Sequence, residues 1–259
     1  MVLFLSSHSS LVRGQELYPF SEPASNMPAR SIAMRLTNEG ALDPSTIRTI
    51  PEIMIGYNKN LMTHTQVFLS DMDGTFRFEG LSLYAKYRFL SIDDLQKHFR
   101  MAAFGRVSFS KRDPATPDVN LEGDNSGWQT GIIATQLIHK LALSATAGYS
   151  NLFEKTINGG PKQGNMLNYS FSSGYLLLPK VYTDYKQPNF NLYAELLGGY
   201  NLNGAGSYLD LAPAIQLIIN SKTRVDLGYR FALYGGLPDR FNNGMYLARV
   251  EFNFFNALN

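Results

Sequence analysis

Apolar residues recur at every second position along most of the chain from residue 29 onward. The segment LSLYAKYRFL, residues 81–90, shows this alternation most regularly. A period of two is typical of a β-strand, because successive side chains point to opposite faces of a sheet. About twelve such segments follow one another. Each is roughly 9–13 residues long, which is the length a tilted strand needs to cross a bilayer.

The connections between these segments alternate in length. The odd-numbered ones are long and polar: EGALDPST, DMDGTFRFEG, KRDPATPDVNLEGDNSG, EKTINGGPKQG, NLNGAGS and YGGLPDRFNNG. The even-numbered ones are mostly short, NKN, HK and NSK, with SIDDLQK and PKVYTDYKQP as longer exceptions. Short turns at one end and long loops at the other are typical of transmembrane barrels. An even number of strands then places both termini on the periplasmic side.

The polar faces of the segments decide between a membrane barrel and a soluble two-sheet sandwich. A sandwich would carry strongly charged outer faces, whereas here Ser, Thr, Gly, Ala and Asn predominate and charges are sparse, as a filled or narrow lumen requires. We therefore predict an all-β fold, a transmembrane antiparallel up-and-down β-barrel of about twelve strands, over residues 29–259. Residues 125–138 and 178–190 are ambiguous, so ten or fourteen strands remain open, and Pro213 in mid-strand indicates a bulge.

The first 28 residues lack this alternation. Residues 1–14 resemble a truncated signal peptide, with Val2–Leu5 as the apolar stretch and Val12-Arg13-Gly14 as the cleavage site. The basic start and the full apolar core of a signal peptide are missing. Residues 15–28 contain three prolines and predict an irregular segment that lies in the periplasm or plugs the lumen.

The composition supports a β-rich membrane protein and excludes other classes. Aromatic residues make up 13% of the chain and charged residues 17%, and no apolar stretch is long enough for a membrane-spanning helix. The net charge of +2 gives no reason to expect nucleic-acid binding. The chain has no cysteine, which excludes a lipid-modified cysteine and any thiolate metal site.

The predicted lumen carries paired charges. On the last two strands and the first, which become neighbours on closure, we expect an ion-pair network of Arg35, Arg224, Asp226, Arg230, Arg249 and Glu251. On the fourth and fifth strands we expect a basic arc, with no acid on the same strands, that favours anions. Glu16 and Glu22 are candidates to neutralise it. The arc consists of Lys86, Arg88, Arg100 and Arg106.

Catalytic and metal motifs are not found. A barrel lipase needs a Ser-His pair on the lipid-facing side, yet His64 and His98 fall on the lumen side. Asp71 and Asp73 suit an acid-dyad protease by residue type, but DMDG is more simply a polar turn. We expect no enzyme, no cofactor and no metal site.

The closing segment YLARVEFNFF resembles the C-terminal strand by which Gram-negative outer-membrane barrels are recognised by the barrel-assembly machinery. In this resemblance the lipid-facing residues are Tyr246, Val250, Phe252 and Phe254, although NALN follows where the family usually ends in an aromatic residue. The segment PEIMIGYNKNLMTHTQVFL resembles the opening hairpin of the transporter-like barrels named for the meta-pathway of phenol degradation. That resemblance implies passage of small, aromatic or hydrophobic compounds and assigns no residues.

These observations predict an outer-membrane channel for passive passage of small solutes, embedded among phospholipid and lipopolysaccharide. The solute itself is not indicated. The alternative is a non-conducting structural barrel, acting as a subunit or anchor of an envelope protein complex. A lumen filled by Tyr84, Phe104, Tyr193 and paired arginines would favour that alternative.

Overall fold

A computed structural model describes residues 17–42, 45–72, 74–94, 97–112, 116–153, 164–180, 186–237, 240 and 244–258. The proposed signal segment 1–14, Glu16 and Asp73 lie outside these residues. The strands are β1 (Ser31–Leu42), β2 (Ser45–Gly56), β3 (Leu61–Ser70), β4 (Arg77–Asp94), β5 (Lys97–Ser110), β6 (Gly127–Ile138), β7 (Leu141–Leu152), β8 (Asn165–Leu178), β9 (Asn189–Asn201), β10 (Gly206–Ile219), β11 (Thr223–Gly235) and β12 (Met245–Phe254).

The twelve strands form one closed antiparallel barrel. Each strand pairs with its sequence neighbours, and β1 pairs with β12 to complete the ring, with Arg35 opposite Glu251. Closure leaves no open strand edge, which is the condition for crossing a bilayer with strands. The predicted all-β up-and-down barrel of twelve strands is confirmed.

Two predicted connections prove to be strand. The first long loop, EGALDPST, contributes its ends to β1 and β2, which leaves residues 43–44 between Leu42 and Ser45. The connection SIDDLQK is likewise short, because β4 continues to Asp94 past a bulge between Arg88 and Leu90. The bulge shifts the alternation by one residue, so the pattern after Leu90 does not predict a strand.

Outward-facing side chains are apolar and exposed around the whole barrel. On β12, Phe252 and Phe254 are 46% and 48% exposed, whereas Leu247 and Glu251 on the opposite face are buried. Tyr246 and Val250 share the outward face of β12, and the Tyr246 hydroxyl donates to Asn38. An exposed apolar band around a polar interior is the arrangement of a barrel surrounded by lipid.

Pro213 lies at a gap in the ladder. It is opposite Ala194 on β9, but the pairing of β10 with β11 is interrupted between Leu211 and Ala214. Proline has no N–H to donate, so the ladder with one neighbour is lost there. The bulge itself lies between Leu209 and Asp210, four residues before the predicted position.

None of the described residues forms a helix that is long and apolar enough to cross a membrane.

Candidate functional site

The strands that close the barrel bring buried charges together inside the lumen. Arg35 on β1 lies between β2 and β12, and its guanidinium is 3.2 Å from Glu52 Oε2 and 2.9 Å from Glu251 Oε2. Arg224 on β11 donates from Nε to Asp226 at 2.8 Å, with Nη1 3.6 Å from Glu251. These charges are buried and need such partners, since an unpaired charge inside a protein is costly.

The other two arginines of the expected network, Arg249 and Arg230, make weaker contacts with it or none. Arg249 Nη1 is 3.8 Å from Asp226, and its Nε donates to Thr37. Arg230 lies apart and pairs with Asp210 at 2.6 Å. The structure therefore brings Arg249 to the cluster of Arg35 and Arg224 but gives Arg230 a separate partner.

The prediction that the strands of the basic arc, β4 and β5, carry no acid is wrong. Because β4 extends to Asp94, it includes Asp93, whose carboxylate lies 3.0 Å from Arg100. Glu79 on β4 is a further buried acid. Arg106 pairs with Glu122 of the loop between β5 and β6 at 2.6 Å. Arg88 is half-buried on the same lumen-facing side of β4.

Lys86 of the arc holds the segment that precedes the first strand. Its ammonium group donates to the carbonyl oxygens of Pro23 at 2.7 Å and Ser25 at 3.0 Å, and to Glu22 Oε2 at 3.3 Å. The Lys86 side chain is fully buried. Burial raises the pKa of the Glu22 carboxyl, but the nearby cations, Lys86 foremost, outweigh burial and bring that pKa down to about 2. Glu22 therefore stays ionised beside Lys86 at neutral pH.

Further lumen side chains bind the same segment, residues 17–30. The Phe20 N–H donates to Glu195 Oε1 and the Ala24 N–H to Thr135 Oγ1, both at 2.8 Å. Gln216 Nε2 donates to the Leu17 carbonyl oxygen, also at 2.8 Å. The segment thus lies inside the barrel and contacts side chains of at least five strands.

Apolar packing supports these hydrogen bonds. Tyr18 is buried in a cluster with Leu137, Ala142, Tyr193 and Ala214. Phe20 lies against Gly228 of β11, where an added Cβ would come within 2.6 Å of the ring. Glycine is therefore needed at this position to admit the aromatic ring.

Ala24 packs on a second apolar cluster in the lumen. This cluster contains Tyr84, Ala102, Phe104 and Ile133, and the rings of Tyr84 and Phe104 are stacked with centroids 5.6 Å apart. The lumen next to the segment is therefore filled by protein.

A cavity of about 520 Å³ lies in the lumen beyond the segment. Residues 19–22 line it, as do residues 116 and 118–122 of the loop between β5 and β6. This loop enters the barrel, and three of its acids pair with arginines. Asp118 pairs with Arg240 of the connection between β11 and β12, Glu122 pairs with Arg106 of β5, and Asp124 pairs with Arg48 of β2 and with Arg112, which follows β5. The cavity thus lies between residues 19–22, the acidic loop between β5 and β6, and a wall rich in arginine.

The pKa values of two loop acids, Asp118 and Glu122, are shifted in opposite directions. Burial raises the pKa of the Asp118 carboxyl, and Arg240 offsets this only in part. Burial alone would raise the pKa of the Glu122 carboxyl as well, but the Arg106 guanidinium outweighs burial and lowers that pKa.

Sequence reasoning missed the loop as part of the site. Asp118, Glu122 and Asp124 lie in a stretch that was predicted only as a long polar connection. Val119 and Leu121 alternate with these polar residues and pack against Leu152 and Met166 inside the barrel. That short alternation, PDVNLEG, was the available signal for a loop that folds inward.

The histidines do not form a catalytic or metal site among the described residues. His64 and His98 are both buried on the lumen side. His64 Nδ1 lies 2.6 Å from Glu52 Oε1, and its ring contacts Tyr84. Within the described ranges, no three His, Asp or Glu side chains are grouped so that they could hold a metal ion.

The comparisons with known proteins concern the fold. No family model and no curated protein matches this chain. An outer membrane channel from Pseudomonas putida F1 matches with a TM-score of 0.55 at 13% identity, covering 90% of this chain and 100% of that one. The NanC porin matches with a TM-score of 0.53 at 12% identity, covering 86% and 98%. The KdgM porin matches with a TM-score of 0.50 at 12% identity, covering 86% and 99%.

All three similar structures are outer-membrane porins or channels by name. At such low sequence identity the similarity shows the fold and does not indicate which solute is transported. The chain therefore has the twelve-stranded fold of bacterial outer-membrane porins and channels.

Proposed function

We propose that the protein is an outer-membrane channel through which small solutes pass by diffusion. The observation that carries this proposal is the closed barrel with a polar, charge-lined cavity of about 520 Å³ inside it. A purely structural barrel has no need of a solvated cavity lined by ionised groups, because buried charges are costly unless they are paired or hydrated. The fold shared with porins supports the same function.

In this proposal residues 17–30 close the lumen. The segment occupies the space between Glu195, Thr135 and Lys86, which lie on different strands of the wall. A solute could follow this path only after the segment had moved. Displacement of the segment is therefore the gating step.

We propose weak selectivity for charge in place of the anion preference expected from the basic arc. Arg100 and Arg106 pair with the carboxylates of Asp93 and Glu122, which belong to the barrel and its loop, so these two arginines present little uncompensated positive charge. Every arginine that lines the cavity has a carboxylate within 4.0 Å. A cation and an anion of equal size should then pass at similar rates.

The placement in the membrane is also part of the proposal. The short connections and both termini would face the periplasm, as in other barrels with this pattern of connections. Tyr246, Val250, Phe252 and Phe254 on the outward face of β12 would form the strand that the barrel-assembly machinery binds.

Conductance in a planar bilayer tests the channel. We expect the intact chain to be mostly closed and a variant that lacks residues 15–28 to show discrete conductance steps. Heat-modifiable mobility in detergent gels confirms that each protein is folded. If the folded deletion variant shows no steps, the channel is refuted.

The alternative of a non-conducting structural barrel has one specific observation in its favour. Tyr84, Phe104 and Tyr193 are buried inside the lumen, and the segment 17–30 packs against them. A barrel that anchors an envelope complex would need such a solid interior. Absence of conductance from both proteins, together with co-purification of the same partner protein, would favour this alternative.

A further inference from the structure

The lumen wall binds the main chain of residues 17–25 and not only its side chains. Two peptide N–H groups donate to wall oxygens, those of Phe20 to Glu195 and of Ala24 to Thr135. Three peptide carbonyls accept from wall donors, that of Leu17 from Gln216 and those of Pro23 and Ser25 from Lys86. These five main-chain contacts are spread along the segment from Leu17 to Ser25.

The four wall side chains are buried and come from four different strands. Gln216 is on β10, Glu195 on β9, Thr135 on β6 and Lys86 on β4, and each is exposed by 1% or less. These groups hold the peptide from several sides, and its main chain bends at residues 19–21 and 24 between them. Hydrogen bonds to main-chain groups give affinity that depends little on sequence, as in strand-addition complexes.

Two side-chain sites add a preference at fixed spacing. The ring of Phe20 fills the space above Gly228, and the Glu22 carboxylate lies near both Lys86 and Arg35. The residues that contact these sites, Phe20 and Glu22, are two positions apart, at a bend of the main chain over residues 19–21. An aromatic residue followed two positions later by an acid therefore matches the two sites together.

We propose that the lumen, once its own segment has been displaced, binds oligopeptides that carry an aromatic residue two positions before an acid. This inference rests on the proposed function, in which the segment leaves the lumen. A peptide supplies the alternating N–H donors and carbonyl acceptors that the wall requires. A simple organic anion has no donor for Glu195 and Thr135, and the wall arginines are already paired with carboxylates.

The test measures binding of a fluorescein-labelled peptide, LYPFSEPASNMP, which has the sequence of residues 17–28, to the deletion variant in detergent. We expect saturable binding by fluorescence polarisation to the variant that lacks residues 15–28 and at least tenfold weaker binding to the intact chain. Methylation of the peptide nitrogens that correspond to Phe20 and Ala24 removes two donors. It should weaken binding roughly tenfold to hundredfold.

A second peptide separates peptide binding in general from binding of this one segment. It retains the tyrosine, the phenylalanine and the glutamate and replaces the other side chains by alanine or serine. We expect its affinity to be within tenfold of the first peptide. We also expect Lys86→Met in the deletion variant to weaken both peptides at least tenfold, while Lys222→Met, in an exposed turn, leaves them unchanged.

Three results would overturn the inference. These are failure of the second peptide to bind, insensitivity to methylation of the two nitrogens, or equal displacement of the labelled peptide by maltose or gluconate at the same concentration. Binding is measured without any conductance. Peptide binding to a barrel that never conducts would therefore refute the channel and leave the peptide site standing. A barrel that conducts but does not bind the peptide would refute the peptide site and leave the channel standing.

Discussion

Replacement of Lys86 by methionine should release the segment that fills the lumen. Methionine is similar to lysine in length and keeps the apolar contacts of the side chain, but it has no ammonium group. The change removes the three hydrogen bonds from Lys86 Nζ to Pro23, Ser25 and Glu22. The Lys86–Pro23 bond is buried, so its loss leaves a carbonyl oxygen without its partner inside the barrel.

The size of the effect follows from these contacts. A hydrogen bond to a charged group contributes about 1.5–3 kcal/mol. Glu22 is a quarter exposed and remains 3.6 Å from Arg35, so its share is reduced. We therefore expect docking of the segment to weaken by about 3 kcal/mol in total, which raises the ratio of undocked to docked protein roughly 100-fold.

Single-channel recording in a planar bilayer measures this ratio as the fraction of time spent conducting. Lys222→Met is the matched control, because it removes the same charge from an exposed turn. The control should behave as the wild type does. A Lys86→Met protein that stays closed as often as the wild type, while the deletion variant conducts, would show that Lys86 does not hold the segment.

Four further predictions concern the segment, the ion pairs and the loop. Gly228→Leu should clash with Phe20, weaken docking by about 1–3 kcal/mol and increase the conducting fraction in the same recordings. Arg35→Met leaves two buried carboxylates without their main partner and should cost about 3–5 kcal/mol in urea unfolding followed by gel mobility; an unchanged midpoint would contradict this. The pKa of Glu22 in the docked segment is about 2, below the ordinary value of about 4.3. The stabilisation of docking by ionised Glu22 is therefore fully present above about pH 4.3 and is lost as the pH falls towards 2. The conducting fraction should then rise between pH 4 and 2, and Glu22→Gln should remove this rise. Arg240→Met should increase hydrogen exchange in residues 116–126, and unchanged exchange would exclude a role for this arginine in holding the loop.

The barrel could be predicted from the sequence because its governing rule is local. In β12 the alternation alone separates Phe252 and Phe254 from Glu251 and Arg249. Closure then brings β12 next to β1, so that the pairing of Glu251 with Arg35 follows from counting strands. The prediction failed at Asp93, where a bulge interrupts the period on which it depends.

The filling of the lumen could not be predicted in the same way. The segment before β1 has no periodicity, and its partners are far away in sequence: Glu195 is 175 residues from Phe20, and Gln216 is 199 residues from Leu17. Such contacts depend on the three-dimensional closure of the barrel. The composition of the segment limited it to an irregular conformation, but its three prolines are equally compatible with a position in the periplasm.

The most direct test of the central claim compares the conductance of the intact chain with that of the variant lacking residues 15–28. Both proteins are first shown to be folded by heat-modifiable gel mobility. We predict discrete conductance steps that are rare for the intact chain and frequent for the variant. A folded variant that never conducts would contradict the account.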